Sequence, residues 1–410
     1  MPLSIRSLRR EISRLGRELG DKTRSARRVL RIDDPYHVVP YRGYGNTHTV
    51  LVQGRALQDE GIVSPNVADP AWRNLLNSFK RVETDALAGA RLRVRIGSTQ
   101  REIVADEEGF IAEWVDLAAP LPPDAGWHPA TLELVSPLRD PTKPVATTAQ
   151  ILVPPSSATF GVISDIDDTV LQSNVANLLQ AARNIAFRNA RTRLPFPGVA
   201  AFYRALHHGP GGAVSSAANP IFYVSSSPWN LYDVITDFLE LQGIPAGPVL
   251  LRDWDLRPGA AAAKGHHTHK LSHIKRLFAT YPSLPFILIG DSTEQDPEIY
   301  HQVVAEHPSR VLAVYIRNVH AQPQRSAAIR RLAKEILAAH STLILSVDTL
   351  ACAKHAAEKG WISPDALPSI GEEKKADQGK TGEKVGPPSP AAPTTPTVVV
   401  SDDPAAQVKL

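Results

Sequence analysis

Phe160-Gly161-Val162-Ile163-Ser164-Asp165-Ile166-Asp167-Asp168-Thr169 decides how this chain is read. An apolar run, 160–163, leads into three acids within four residues. The run has the length and character of a buried strand, and the acids fall at its carboxyl end. Carboxylates this close repel one another, which raises their pKa values unless a cation sits among them. A hard divalent ion with oxygen ligands meets that need, and Mg²⁺ bridges carboxylates to a substrate phosphate while keeping several waters. The alternation lets Asp165 and Asp167 project to one side. One can attack phosphorus while the other handles the leaving group's proton.

Downstream of this stretch, similar apolar runs recur at 221–224, 249–251, 286–289, 311–316 and 343–345. Helical stretches at 228–241, 270–278, 297–306 and 327–338 separate them. Continuously apolar strands joined by helices predict an α/β fold, a doubly wound parallel sheet covered on both faces. Ligands gather outside the carboxyl ends of such strands. One end carries Ser225-Ser226-Ser227 before Pro228, where hydroxyl and backbone N–H groups can hold phosphate oxygens. Another carries Gly290-Asp291-Ser292-Thr293-Glu294-Gln295-Asp296, in which glycine permits a sharp turn and two more carboxylates reach the cation. Between them, His266-His267-Thr268-His269-Lys270 opens a helix, and its lysine can neutralise a transferring phosphoryl group. Lys264 and Lys275 are alternatives to Lys270, and any of the three serines is a candidate phosphate ligand. Arg252 and Arg317 follow strands on the same face, as head-group contacts or as structural ion pairs.

Taken in order, DxDxT, a strand-end Ser, a Lys and GDxxxxD resemble the four-motif signature of the haloacid-dehalogenase superfamily. Within it, one family is resembled more closely, the actin-patch-protein type of phosphatidate phosphatase found in fungi and bacteria. The segments carrying this likeness are Ser164-Asp165-Ile166-Asp167-Asp168-Thr169, Phe196-Pro197-Gly198, Phe222-Tyr223-Val224-Ser225-Ser226-Ser227-Pro228-Trp229, Leu251-Arg252-Asp253-Trp254, Leu288-Ile289-Gly290-Asp291-Ser292, Gln295-Asp296-Pro297-Glu298-Ile299-Tyr300 and Ile316-Arg317-Asn318-Val319. The resemblance covers about 159–320. It implies a haloacid-dehalogenase-like sheet and Mg²⁺-dependent hydrolysis of phosphatidate, a phospholipid substrate, to diacylglycerol and phosphate. It also implies Asp165 as nucleophile and metal ligand, and Asp167 as general acid/base giving its backbone carbonyl to the metal. Thr169 would steady the loop, Ser225 with Ser226 and Arg252 would meet the substrate, and Lys270 would stabilise charge. Asp291 and Asp296 would complete the metal set. A small cap over about 173–192 leaves room for a large substrate.

Upstream, residues 36–155 switch to a period of two, as in Arg91-Leu92-Arg93-Val94-Arg95-Ile96, with 106–109 as a hairpin turn. Short alternating strands predict an all-β sandwich. Residues 1–34 form a basic amphipathic helix, with ten Arg or Lys against three acids over 1–32. Its readings are an anionic membrane surface, packing on the β unit, or a short coiled coil. The remaining boundaries are 159–370 for the phosphatase domain and 371–410 for a disordered Pro-rich tail.

At 410 residues and a net charge of +3, the chain has no overall basic excess, so no nucleic-acid partner is expected. Its one cysteine, Cys352, excludes an internal disulfide and reads as a small buried residue. With no apolar run of about 20 residues and no secretory pattern, a cytoplasmic or peripheral-membrane protein is expected. Oligomeric state is not legible. His266, His267 and His269 suggest zinc, but a closed site needs further ligands. A polar loop at the substrate entrance is the preferred reading. Trp229 and Trp254 are expected in core packing rather than against an acyl chain.

Overall fold

The computed structural model describes residues 35–58, 85–166, 198–214, 218–252, 266–318, 322–346, 348–382 and 398–400. The first half is built from β1 (Tyr36–Gly45), β2 (Thr49–Gln58), β3 (Asp85–Ala86), β4 (Arg91–Ile96), β5 (Thr99–Val104), β6 (Phe110–Asp116), β7 (Trp127–Ser136) and β8 (Ala146–Leu152). They make one eight-stranded mixed sheet in the order β3-β2-β1-β8-β7-β4-β5, with β6 also pairing β2. The sandwich expected from the alternation is therefore corrected. Hydrogen bonding runs unbroken along a single curled, barrel-like sheet around one core, which includes Val50, Val94, Ile111, Leu132 and Ile151. Period-two patterning tells which face of a strand is buried, not which strand lies beside it. The link that unifies the sheet is a short parallel pairing, Gly43↔Ile151 and Tyr44↔Leu152, between segments about a hundred residues apart.

The second half contains β9 (Gly161–Asp165), α1 (Val199–His208), β10 (Ile221–Pro228), α2 (Tyr232–Leu241), β11 (Val249–Arg252), α3 (His266–Thr280), β12 (Phe286–Asp291), α4 (Asp296–Glu306), β13 (Val311–Arg317), α5 (Pro323–Ala338), β14 (Thr342–Ser346), α6 (Thr349–Glu358), α7 (Ala366–Gly382) and β15 (Val398–Val400). Strand order is β11-β10-β9-β12-β13-β14-β15, parallel except for β15, which runs antiparallel to β14. In place of a haloacid-dehalogenase-like doubly wound sheet behind a sandwich, the observed architecture is a parallel sheet with an antiparallel edge, joined to a barrel-like sheet. The expected small cap over 173–192 and the basic helix over 1–34 lie outside the described residues. No helix among the described residues is long and apolar enough to cross a membrane.

The two halves share a core. β1 and β2 bury residues on both faces, because their outer face packs on the parallel sheet. Tyr41 stacks on Trp229 with ring centroids 5.1 Å apart and meets Tyr232 at 4.1 Å. Tyr44 sits edge-on to Phe222. Trp229 is thus a core residue, as its context suggests; Trp254 lies outside the described residues. Cys352 is buried, and burial pushes its thiol up to about 12, so it is no nucleophile.

Order also extends beyond residue 370. Helix α7 continues to Gly382, and Val398–Val400 adds the edge strand. The polar stretch is helical because its charges find partners. Glu373 caps the amino end of α1 by accepting from Ala201 N at 2.9 Å and pairs with Arg204 at 2.7 Å. Lys374 pairs with Asp348 at 2.7 Å. These contacts hold Ile370, which is fully buried.

Behind the sheet, Tyr315 Oη and His355 Nδ1 lie 2.9 Å apart, and burial pushes the His355 imidazole down to about 4. Its folded pKa lies below the unfolded value of about 6.5, so acid favours the unfolded chain. The expected result is a loss of about 3 kcal/mol as pH falls from about 6.5 to about 4, levelling off below. Denaturant titrations of wild type and His355→Gln across this range test it. An equally steep pH dependence in the variant would remove His355 as the cause.

Candidate active site

Two neighbouring strand ends and the first turns of two helices converge on one acidic cluster. β9, inside the sheet, ends at Asp165, and the adjacent β12 ends at Asp291. The turn after β12 leads into α4, whose first residue is Asp296. Lys270, on the first turns of α3, reaches into this space. Its Nζ lies 2.5 Å from Asp165 Oδ1, 2.7 Å from Glu294 Oε2 and 3.0 Å from Asp296 Oδ1. The ammonium and the Asp165 carboxylate are almost fully withdrawn from solvent, at 3% and 4% exposure. Lys270 is therefore the lysine brought to the site. Lys275 instead pairs with Glu306 at 2.6 Å on the outside of α3, and Lys264 lies outside the described residues.

The turn is held rigidly. Asp291 Oδ1 accepts from Thr293 N and Thr293 Oγ1, both at 2.6 Å, and from Glu294 N at 3.2 Å. Asp296 Oδ2 accepts from Asp291 N at 3.2 Å. Arg325, from α5, donates to the carbonyls of Ser292 at 2.9 Å and Glu294 at 2.6 Å and forks onto Glu298. Gly290 is required by close approach, since a Cβ there would lie 2.4 Å from Asp296 Oδ2. Before the nucleophile candidate, Ser164 Oγ donates to the Asp165 carbonyl at 2.9 Å and lies 2.6 Å from the Tyr203 hydroxyl.

The electrostatics are those of an anion excess. Asp165, Glu294 and Asp296 surround the Lys270 ammonium, and Asp291 adjoins Asp296. Burial raises the Asp296 carboxyl, with Lys270 pulling it down and Asp291 pushing it up. One carboxylate oxygen each from Asp165, Glu294 and Asp296 lies within 4.8 Å of the others. Hard oxygen donors with surplus negative charge fit Mg²⁺. Asp296 already engages Lys270 through one oxygen and the Asp291 amide through the other, which makes it an organiser of the cluster. Glu294 stands where a further ligand would. It lies inside the GDxxxxD stretch, where spacing alone does not distinguish the intervening positions.

The serines lie within β10 rather than past its end. Pro228 still pairs with Arg252, after a register shift between Val224 and Pro228 that spans the serines, and a short 3₁₀ turn, Trp229–Leu231, precedes α2. All three are buried, and Ser225 Oγ accepts from Ser227 N at 3.0 Å. Arg252 ends β11; its side chain, like Asp167, Asp168 and Thr169, lies outside the described residues. Beside Asp165 a half-open cavity runs into the core. Asp165, Asp291 and Arg317 form its polar side, and Tyr203, Phe238, Leu239 and Ile244 are among its apolar walls.

Residues 160–318 match the protein family described as phosphatidate phosphatase APP1, catalytic domain. The chain is similar to the phosphatidate phosphatase APP1 of Saccharomyces cerevisiae, with 29% identity over 159 residues, covering 38% of this chain and 26% of that protein. It is also similar to an uncharacterized protein of Schizosaccharomyces pombe, with 26% identity over 167 residues, covering 39% and 25%. The chain thus spans about a quarter of the length of the curated relatives it matches. Among solved structures it is similar to a carbohydrate acetylesterase from Xanthomonas citri, with a TM-score of 0.25 and 11% identity, covering 72% of this chain and 71% of that one. A sialyltransferase from Photobacterium damsela gives a TM-score of 0.22 and 9% identity, covering 81% and 59%. Likenesses at these scores carry no structural argument.

Proposed function

We propose that this chain is a Mg²⁺-dependent phosphatidate phosphatase working through an aspartyl-phosphate on Asp165. The observation that carries the reading is the buried Asp165–Lys270 pair at 2.5 Å within a cluster of strand-end carboxylates. It lies inside the segment that matches a phosphatidate phosphatase catalytic domain. Such a site has a nucleophile, a fixed positive charge and surplus oxygen ligands, which are the parts phosphoryl transfer uses.

In this mechanism an Asp165 carboxylate oxygen attacks phosphorus in line with the diacylglycerol oxygen. The phosphorus–oxygen bond to diacylglycerol breaks, and Asp167 gives that oxygen its proton. Water then attacks the acyl phosphate, Asp167 takes the water's proton, and phosphate leaves with Asp165 restored. Lys270 stays against Asp165 and offsets the charge that develops on the phosphoryl oxygens. Asp291, Glu294 and Asp165 would hold Mg²⁺, which supplies charge neutralisation at the phosphate. Asp296 keeps Lys270 and the Asp291 amide in place.

The lipid assignment draws support from the cavity, which has charged groups at Asp165, Asp291 and Arg317 and apolar walls behind them. That polarity suits a phosphomonoester on an apolar body. The basic residues of 1–32 suit an anionic lipid surface. The test is a parallel assay of phosphatidate in mixed micelles, a phosphopeptide and a 3′-phosphorylated oligonucleotide, with and without Mg²⁺. Phosphatidate is expected to be turned over at least about tenfold faster by kcat/KM, a difference of about 1.4 kcal/mol. Turnover of either other substrate without turnover of lipid would overturn the lipid assignment.

A further inference from the structure

We propose that Arg325 is a positioning residue for the metal site: it fixes Glu294 and thereby sets the affinity for Mg²⁺. This rests on Glu294 being a metal ligand, as the proposed function has it. Arg325 lies in α5, past the end of the matched segment 160–318. Its place is unfavourable on local grounds. A cation in the first turn of a helix opposes the helix dipole, and this turn holds no acid to offset it. Contacts with another part of the chain account for it there. Nε donates to the Ser292 carbonyl at 2.9 Å and Nη2 to the Glu294 carbonyl at 2.6 Å. The fork closes on Glu298, with Nη1 donating to Oε1 and Nη2 to Oε2 at 2.9 Å.

These bonds complete a brace. Asp291 Oδ1 holds the amides of Thr293 and Glu294, and the Arg317 carbonyl holds that of Ser292 at 2.8 Å. Arg325 holds the carbonyls of the same stretch and ties them, through Glu298, to the first turn of α4. Packing cannot do this, because Thr293 and Gln295, on either side of Glu294, are exposed. Without the guanidinium, the main chain and side chain of Glu294 would be ordered only as an ion arrives, and the lost entropy would weaken binding. Groups that orient a metal ligand from behind typically change metal affinity by about 10–100-fold. The guanidinium charge is itself paired with Glu298, so the brace adds little net positive charge beside the site. Lysine cannot replace it. One ammonium lacks the planar fork that reaches two carbonyls and a carboxylate together.

The experiment titrates the full chain with manganese chloride and reads free Mn²⁺ by electron paramagnetic resonance, since oxygen ligands take Mn²⁺ as they take Mg²⁺. Arg325→Lys and Arg325→Gln are each expected to bind the ion at least about tenfold more weakly than wild type. In phosphatidate turnover, the Mg²⁺ concentration for half-maximal rate should rise by the same factor, while the rate at saturating Mg²⁺ falls by less than about threefold. Arg325 acts through Glu294, so adding Arg325→Lys to Glu294→Gln should weaken binding by less than about threefold more. Three results would overturn the proposal. One is unchanged affinity in both Arg325 variants while wild type binds the ion. Another is tighter binding in Arg325→Gln with Arg325→Lys unchanged, which would assign the effect to charge alone. The third is an Arg325→Lys loss that persists in full on the Glu294→Gln background. Failure of wild type itself to bind the ion would overturn the metal reading and this proposal with it. Melting curves without metal report the fold, and Arg325→Lys, which keeps the charge, carries the test if Arg325→Gln unfolds.

Discussion

Replacing Asp165 by Asn is expected to lower phosphate release by at least about a thousandfold, the scale of loss seen when a covalent nucleophile is removed. Asparagine keeps the shape of the side chain and can still accept a hydrogen bond from Lys270, so the fold should survive. What disappears is the anionic oxygen that attacks phosphorus. The experiment measures phosphate release from phosphatidate with Mg²⁺ present, alongside circular dichroism of the variant. A second readout separates covalent catalysis from simple binding. Acid quenching of wild type during turnover of radiolabelled substrate should trap label on the protein, and Asp165→Asn should trap none. A variant that still releases phosphate at near wild-type rate would end the assignment of Asp165, whatever the substrate.

The second large effect concerns Lys270. Its ammonium lies within 3.0 Å of three carboxylates, and Asp296 among them is fully buried. Removing one partner of a buried ionic group leaves charges with neither water nor counter-ion, which typically costs about 3–5 kcal/mol. Lys270→Met should therefore lose about that much stability, read from urea denaturation, and more than about a hundredfold in activity. The stability loss should be partly recovered by a second change, Asp296→Asn, because one repelling charge is then gone. Residues in one network couple in this way, whereas independent sites add. Strict additivity of the two changes would mean that Lys270 and Asp296 do not act as one unit, contrary to their 3.0 Å contact.

Much of this site was legible because chemistry and strand ends coincide in the sequence. The run 160–163 followed by Asp165, and the run 286–289 followed by Gly290 and Asp291, place two carboxylates at strand ends on sequence grounds alone. The six parallel strands follow the apolar runs closely, because a strand buried on both faces has little freedom in composition. Lys270 could be ranked above Lys264 and Lys275 only by its position at a helix start, and the contact with Asp165 separates it from Lys275. Glu294 had no such marker. Its role depends on the turn set by the Asp291 hydrogen bonds and on Arg325, which arrives from α5 about thirty residues later.

What the sequence determined by itself was local. It set the apolar strands, the acids at their ends, the helix start bearing Lys270 and the alternating strands upstream, because each depends on neighbours in the chain. Tertiary structure decided everything that required distant segments to choose partners. It turned the upstream strands into one curled sheet through β1 and β8, and it ran Val398–Val400 antiparallel along β14. It packed Tyr41 and Tyr44 into the second half and drew Asp165, Lys270, Glu294 and Asp296 around one point. The physical reason is that alternation and periodicity record which face is buried, whereas pairing between remote strands and charges leaves no periodic trace.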